Sequence, residues 1–201
     1  MTRHRADVLG DVGEERDHVV VGRALDLANP TVLKLDTLPR FRGVKRRQEA
    51  LVSTPALTVI EDFGHHPTAL AETLHSFRAR FPGATLTAVF EPRSNTARTR
   101  TLQAGFMRAL AQADEVYLGA VNRADKLKDE ERFDGEAVAE HLETQGVHAR
   151  WFTGNAALLE RLVADTLPAQ GRSRVVVFFS NGSFDGIIDK YAAAAGRSER
   201  V

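Results

Sequence analysis

Four short polar segments of this chain hold the side chains best suited to chemistry. Glu61-Asp62-Phe63-Gly64-His65-His66-Pro67 sets carboxylates beside two imidazoles, and Glu91-Pro92-Arg93-Ser94-Asn95-Thr96 puts a guanidinium on a loop stiffened by proline. Asn122, Arg123, Asp125 and Lys126 form a third group, and Ser180-Asn181-Gly182-Ser183-Phe184-Asp185-Gly186 the fourth. Two readings fit the first segment. Asp62 and the histidines can cap a following helix, or His65 and His66 can join a carboxylate around a metal ion. Arg93 is either a solvated charge or the partner of an anion or carboxylate, with Ser94 and Asn95 adding short hydrogen-bonding groups. Arg46 and Arg47 read as a basic linker on spacing alone.

Several chemistries are excluded by what is missing. No G-x-x-x-x-G-K-S/T pattern occurs, so the chain lacks that phosphate-cradling loop. No G-x-G-x-x-G follows a strand, and no G-x-S-x-G marks a hydrolase elbow. With no cysteine, disulfides, thiolate metal sites and thiol nucleophiles are absent together. Lys+Arg and Asp+Glu stand at 27 each, so no overall field draws the chain to nucleic acid or to an anionic membrane. No apolar run reaches membrane-spanning length, and Met1 to Glu15 has no apolar leader core. A soluble cytoplasmic protein is expected.

The polar segments need elements to carry them. Short apolar runs at Leu57–Glu61, Thr85–Phe90, Glu115–Ala120, His148–Phe152 and Arg174–Phe179 are expected to be strands buried on both faces. Between them run segments with one apolar stripe at helical spacing: Leu70, Leu74 and Phe77, then Leu102, Phe106 and Leu110, then Val138 and Leu142. Leu159, Leu162 and Val163 mark a fourth helix, and Ile187, Ile188 and Tyr191 a fifth. Pro67 suits a first helical turn, while Gly83 and Gly146 stand where helices must stop. Alternating strands and helices predict an α/β fold with a mostly parallel sheet. Such sheets bind ligands beyond the carboxyl ends of their strands, where all four polar segments fall. The first 49 residues break this pattern. Met1–Arg16 is expected to be poorly ordered, Val19–Leu27 is a helix candidate interrupted by charges, and Pro30 and Pro39 interrupt the stretch after it. Residues 1–49 therefore read as a lead-in ending in a basic hinge, Arg40–Glu49, and residues 50–201 as one domain.

In order along the chain, Phe41-Arg42-Gly43-Val44-Lys45-Arg46-Arg47-Gln48-Glu49, Ile60–Thr68, Glu91–Thr96 and Ser180–Phe184 resemble the C-terminal domain of the Mur ligase family and its junction with the central domain. The resemblance spans Pro39 to Ala195, and its second half is similar to the branch that joins L-alanyl-γ-D-glutamyl-meso-diaminopimelate to UDP-N-acetylmuramate. It implies a Rossmann-like domain with helices on both faces of the sheet. It also implies an ATP-dependent amide ligation in peptidoglycan recycling, in which magnesium and cations offset phosphoryl charge while domain closure brings in the peptide amine. ATP and the magnesium ion belong to the complete enzyme, and none is expected on this chain alone. The implied partners are the UDP-sugar and ATPase domains, in cis or in trans, together with the muropeptide.

By the same resemblance Arg47, Asp62, His65 and His66 meet the nucleotide, and Arg93, Ser94, Asn95, Ser180 and Phe184 meet the peptide. No residue is given a catalytic role. Glu61, Gly64, Ser183, Asp185 and Ile188-Asp189 depart from the usual pattern, and Asp185 brings negative charge to a pocket expected to hold carboxylates. Two other readings stay open: a stand-alone muropeptide- or nucleotide-binding regulatory domain, and a metal-dependent hydrolase built on His65 and His66.

Overall fold

A computed structural model describes residues 44–167 and 171–198. Residues 44–49 fall in one compact unit and those from Ala50 onward in another. In the first, Val44 and Arg47 bridge, Arg47 N–H donating to the Val44 carbonyl at 2.9 Å. Arg46 and Gln48 take left-handed backbone (φ 58° and 51°), and the Arg46 N–H donates to Glu49 Oε2 at 2.7 Å. The end of the expected hinge is thus a tight turn. Met1–Arg16, Val19–Leu27, Pro30 and Pro39 lie outside the described residues.

The larger unit is built on a six-stranded sheet of order β1-β2-β6-β3-β4-β5. Its strands are β1 (Glu49–Ser53), β2 (Leu57–Asp62), β3 (Thr85–Phe90), β4 (Glu115–Leu118), β5 (His148–Trp151) and β6 (Arg174–Phe179). Its helices are α1 (Pro67–Arg80), α2 (Gln103–Leu110), α3 (Gly135–Thr144), α4 (Asn155–Thr166) and α5 (Ile187–Ser198). Strands β2, β6, β3, β4 and β5 are parallel, with Leu57 opposite Arg174 and Thr85 opposite the same arginine. The short turn between β1 and β2, where Thr54 N–H donates to the Leu57 carbonyl at 3.0 Å, reverses the chain and adds an edge strand.

Alternation along the strands divides the core into two layers. Val175, Val177 and Phe179 of β6 point to the side covered by α1, α2 and α3, with Leu74, Phe77, Phe106 and Leu142. Val176 and Phe178 point to the side of α4 and α5, against Leu162, Ile187 and Tyr191. Both faces are therefore helix-covered, as expected of a Rossmann-like sheet. Each fully buried side chain of this size stabilises the fold by about 1.5–3 kcal/mol.

Three boundaries differ from the sequence expectation. Strand β2 runs one residue further, to Asp62, whereas β4 stops at Leu118 and β5 at Trp151. Just past the end of β4, Gly119 lies against the Phe184 ring, which a Cβ there would meet at 2.6 Å. β1 is an addition. It was not expected, because Glu49-Ala50-Leu51-Val52-Ser53 is short and shows no apolar–polar alternation. Gly146 directly follows the C-cap of α3, whereas α1 stops at Arg80 with Phe81 as its cap and Gly83 lies in the turn beyond; both glycines have φ of +80°.

Candidate functional site

Beyond the carboxyl end of each parallel strand the hydrogen bonding continues for one residue before the chain departs. Ser180 N–H donates to the Asp62 carbonyl at 3.1 Å, Glu91 N–H to Phe179 at 3.0 Å, and Gly119 N–H to Phe90 at 2.9 Å. Asp62, Ser180, Glu91 and Gly119 are consequently locked side by side on one edge. Asp62, Arg93 and Ser180, drawn from three separate segments of the sequence, stand on the same rim.

At its centre sits Glu91, 1% exposed. One carboxylate oxygen accepts the hydroxyl of Ser180, and the other pairs with Arg93 Nη1 at 3.3 Å. The Ser180 hydroxyl oxygen in turn accepts the Gly182 N–H at 2.9 Å. Burial pushes the Glu91 carboxyl above the ordinary carboxylate range; the Ser180 hydrogen bond and the nearby Arg93 charge oppose this, and the Asp185 charge adds to it. The Arg93 side chain, 31% exposed, is held from below by Glu91 and remains open to the rim. Such a guanidinium is suited to a carboxylate.

The loop after β6 is held in an unusual backbone state. Phe184, Asp185 and Gly186 all have positive φ (49°, 51° and 73°), a conformation costly for an aromatic residue. Packing and hydrogen bonds maintain it. Phe184 is fully buried, edge-on to Phe178 with ring centroids 6.4 Å apart. Asn155, at the start of α4, donates from Nδ2 to Asp185 Oδ2 at 2.7 Å and accepts the Ala120 N–H on Oδ1 at 3.0 Å. It thereby ties the loop after β6 to the loop after β4.

The remaining nominated residues have definite places. Asp62, 5% exposed, accepts the Gly64 N–H on Oδ1 at 2.6 Å. His66 caps α1, its Nδ1 accepting from Thr68 N–H at 3.3 Å, and His65 Nδ1 lies 3.0 Å from the Phe63 carbonyl. The capping reading therefore describes His66, and among the described residues no three His, Cys, Asp or Glu side chains gather as a metal site would need. Ser94 Oγ accepts the Ala97 N–H at 3.1 Å, and Asn95 Oδ1 accepts from Arg98 Nη2 at 3.0 Å, so both shape the loop that carries Arg93. Asp125 and Lys126 pair with each other at 3.4 Å, both exposed. Arg47 lies in the separately described segment. Among the described residues no helix is long and apolar enough to cross a membrane.

Glu91 and Asn155 escaped nomination. Glu91 lay in view inside a motif, but a glutamate before a proline gives no sign of burial. Asn155 begins a helix behind a glycine, where an asparagine ordinarily reads as a cap.

The chain is similar in sequence and in fold to known proteins. Residues 46–182 match the family described as Mur ligase, glutamate ligase domain. The UDP-N-acetylmuramate-L-alanine ligase of Desulfitobacterium hafniense is 30% identical over 131 residues, 65% of this chain and 29% of that protein. A domain described as that of a UDP-N-acetylmuramate:L-alanyl-γ-D-glutamyl-meso-diaminopimelate ligase from Haemophilus ducreyi is 26% identical with a TM-score of 0.53, covering 74% of this chain and 99% of its own. The UDP-N-acetylmuramate-alanine ligase of Thermotoga maritima, 20% identical with a TM-score of 0.62, covers 98% of this chain and 39% of its own, a likeness of fold. The chain spans about a third of the length of the curated relatives it matches.

Proposed function

The chain belongs to the Mur ligase family through its glutamate ligase domain, and from that premise we propose that it holds the incoming amine substrate of a cytoplasmic, ATP-dependent peptidoglycan ligase. The observation that carries this reading is the buried Glu91, which orients Arg93 toward the rim while Ser180 and Gly182 close the loop beside it. A guanidinium so held meets a substrate carboxylate with little freedom left to lose, which is how positioning accelerates a bimolecular step. Phosphoryl transfer from ATP, with its magnesium ion, is work for the P-loop and UDP-sugar domains in cis or in trans. On this chain Asp62, His65 and His66, at the end of β2, are the groups proposed to meet the nucleotide when the domains close, and Arg47 is proposed as a further nucleotide contact.

The amine substrate we propose is L-alanyl-γ-D-glutamyl-meso-diaminopimelate, joined to UDP-N-acetylmuramate in peptidoglycan recycling. The Glu91-Pro92-Arg93-Ser94-Asn95-Thr96 loop and the likeness to the Haemophilus ducreyi domain favour it. The names of the curated relatives favour L-alanine instead. The test supplies the P-loop and UDP-sugar domains of a related ligase, fused or separate, and measures ATP-dependent ligation of each amine. Tripeptide ligation above that of the added domains alone is expected. No gain with either amine refutes the proposal, and gain with L-alanine only refutes the choice of substrate. Arg93→Ala in the same assembly is expected to raise the peptide KM about 100-fold with the ATP KM unchanged.

A further inference from the structure

Of the chain's five asparagines, only Asn181 precedes a glycine. That pairing carries a chemistry of its own. An asparagine amide carbon can meet the backbone nitrogen of the next residue, and a glycine there has no Cβ to hinder the approach. Asn181 and Gly182 lie in the loop after β6, past its last residue, Phe179.

Two other asparagine side chains are restrained. Asn155 is held by Ala120 and Asp185, and Asn95 Oδ1 accepts from Arg98 at 3.0 Å. Asn181 Oδ1 is buried with no hydrogen-bond partner, so no bond to that oxygen fixes the amide. An acceptor left unpaired away from water is costly, and reorienting the amide relieves the cost. The restraint falls on the other reactant. Gly182 N–H donates to Ser180 Oγ at 2.9 Å, while the Ser180 hydroxyl hydrogen goes to the buried Glu91 carboxylate. The hydroxyl oxygen thereby keeps the Gly182 proton in place, and a protonated amide nitrogen is no nucleophile.

We propose that Asn181 is a site of spontaneous self-modification, its amide converted to a carboxylate by the Gly182 nitrogen, and that the Ser180 hydroxyl holds this reaction in check. Gly182 N–H loses its proton to a solvent base, and the nitrogen forms a bond to Asn181 Cγ. The Cγ–Nδ2 bond breaks, and Nδ2 leaves as ammonia after taking a proton from water. A second water opens the cyclic imide. Cleavage of the nitrogen's bond to Cγ gives aspartate; cleavage of its bond to the backbone carbonyl carbon gives isoaspartate, with an extra methylene in the main chain. The sum is amide plus water giving carboxylic acid plus ammonia.

Either product places a negative charge next to Gly182, which the Arg93 side chain covers. The chemistry stands apart from the proposed function. Only its consequence, a guanidinium drawn away from the substrate carboxylate, rests on that reading.

The tryptic peptide Val175–Lys190 contains Asn181 as its sole asparagine. The 201-residue chain is aged in mildly alkaline buffer, and peptide mapping by mass spectrometry follows amide loss there, at Asn95 and at Asn155. The same chain in denaturant sets the unguarded rate, and the folded parent is expected to convert more slowly. Ser180→Ala is expected to convert about tenfold faster than the folded parent, the equivalent of roughly 1.4 kcal/mol, with Asn95 and Asn155 unaffected. Gly182→Ala, whose methyl group hinders the attack, is expected to slow conversion in denaturant, and an unslowed rate overturns Gly182 as the attacking residue. No product at Asn181 in denaturant overturns the site. A folded rate equal to the denatured one overturns the guard, and so does a Ser180→Ala rate equal to the parent's. Acceleration shared by Asn95 and Asn155 reports unfolding and overturns it too. In the assembled ligase, an unchanged peptide KM after conversion refutes the Arg93 reading and leaves the modification standing.

Discussion

Arg93 lies across Gly182 so closely that a Cβ built on Gly182 would fall 2.0 Å from Arg93 Nε. The obstructing atoms belong to the end of a flexible side chain, so Gly182→Ala is expected to fold normally and to push the guanidinium aside. A misplacement near 1 Å costs catalysis on the order of 100-fold. In the assembled ligase, steady-state kinetics should show that loss in kcat/KM for the peptide, with ATP kinetics and Tm nearly unchanged. A Tm loss accompanying an unchanged kcat/KM would remove Arg93 from the substrate site.

Gly119 gives the opposite expectation. A Cβ there would meet the Phe184 ring at 2.6 Å and Asn155 Oδ1 at 2.9 Å, and Phe184 is fully buried. A buried ring cannot swing away as an arginine can, so Gly119→Ala should cost about 1–3 kcal/mol. At roughly 2–4 °C per kcal/mol for a chain of this size, calorimetry should register the drop.

Asn155 joins two loops with one side chain. Asn155→Asp replaces its donor to Asp185 with a second carboxylate, 30 residues away in sequence but in hydrogen-bond contact in space. The repulsion should free the Phe184–Gly186 segment from its positive-φ state. Limited proteolysis within 181–186 is expected to speed up, and peptide KM to rise about tenfold, the equivalent of roughly 1.4 kcal/mol. Unaltered cleavage would show that packing of Phe184 alone holds the loop.

The carboxyl of Glu91 is held above its ordinary value of 4.5 by burial, so the folded chain favours its protonated form. That contribution is complete below the ordinary value and is lost as pH rises through the raised one. Glu91→Gln, which stays neutral, should therefore gain stability relative to the parent as pH rises from the ordinary value of 4.5 upward. Thermal melts across that range check the sign. A gap that narrows toward high pH would mean the Arg93 pair outweighs the cost of burial.

The five parallel strands were legible because runs such as Val175-Val176-Val177-Phe178-Phe179 are short, β-branched and apolar on both faces, as strands of a sheet covered twice are. The shared rim followed from topology, since loops after parallel strands must emerge together. β1 was hidden because an edge strand with one neighbour needs little apolar patterning. Inside the rim, the side-chain wiring was out of reach. Nothing in the spelling Glu91-Pro92-Arg93 tells that the glutamate is buried and turned toward Ser180, which lies 89 residues away. The left-handed state of Phe184 and Asp185 was equally hidden, since the neighbouring glycines are the natural carriers of such geometry.

Strand β6 lies between β2 and β3, two strands that do not touch each other. On the ribosome both are made long before the segment that must join them, and until Arg174–Phe179 emerges each offers one side of its backbone to solvent. Long-range parallel pairing of this kind is slow to nucleate and vulnerable to aggregation. The chain should thus acquire its central register late and in one cooperative step, with the rim loops ordered only after the keystone strand is inserted.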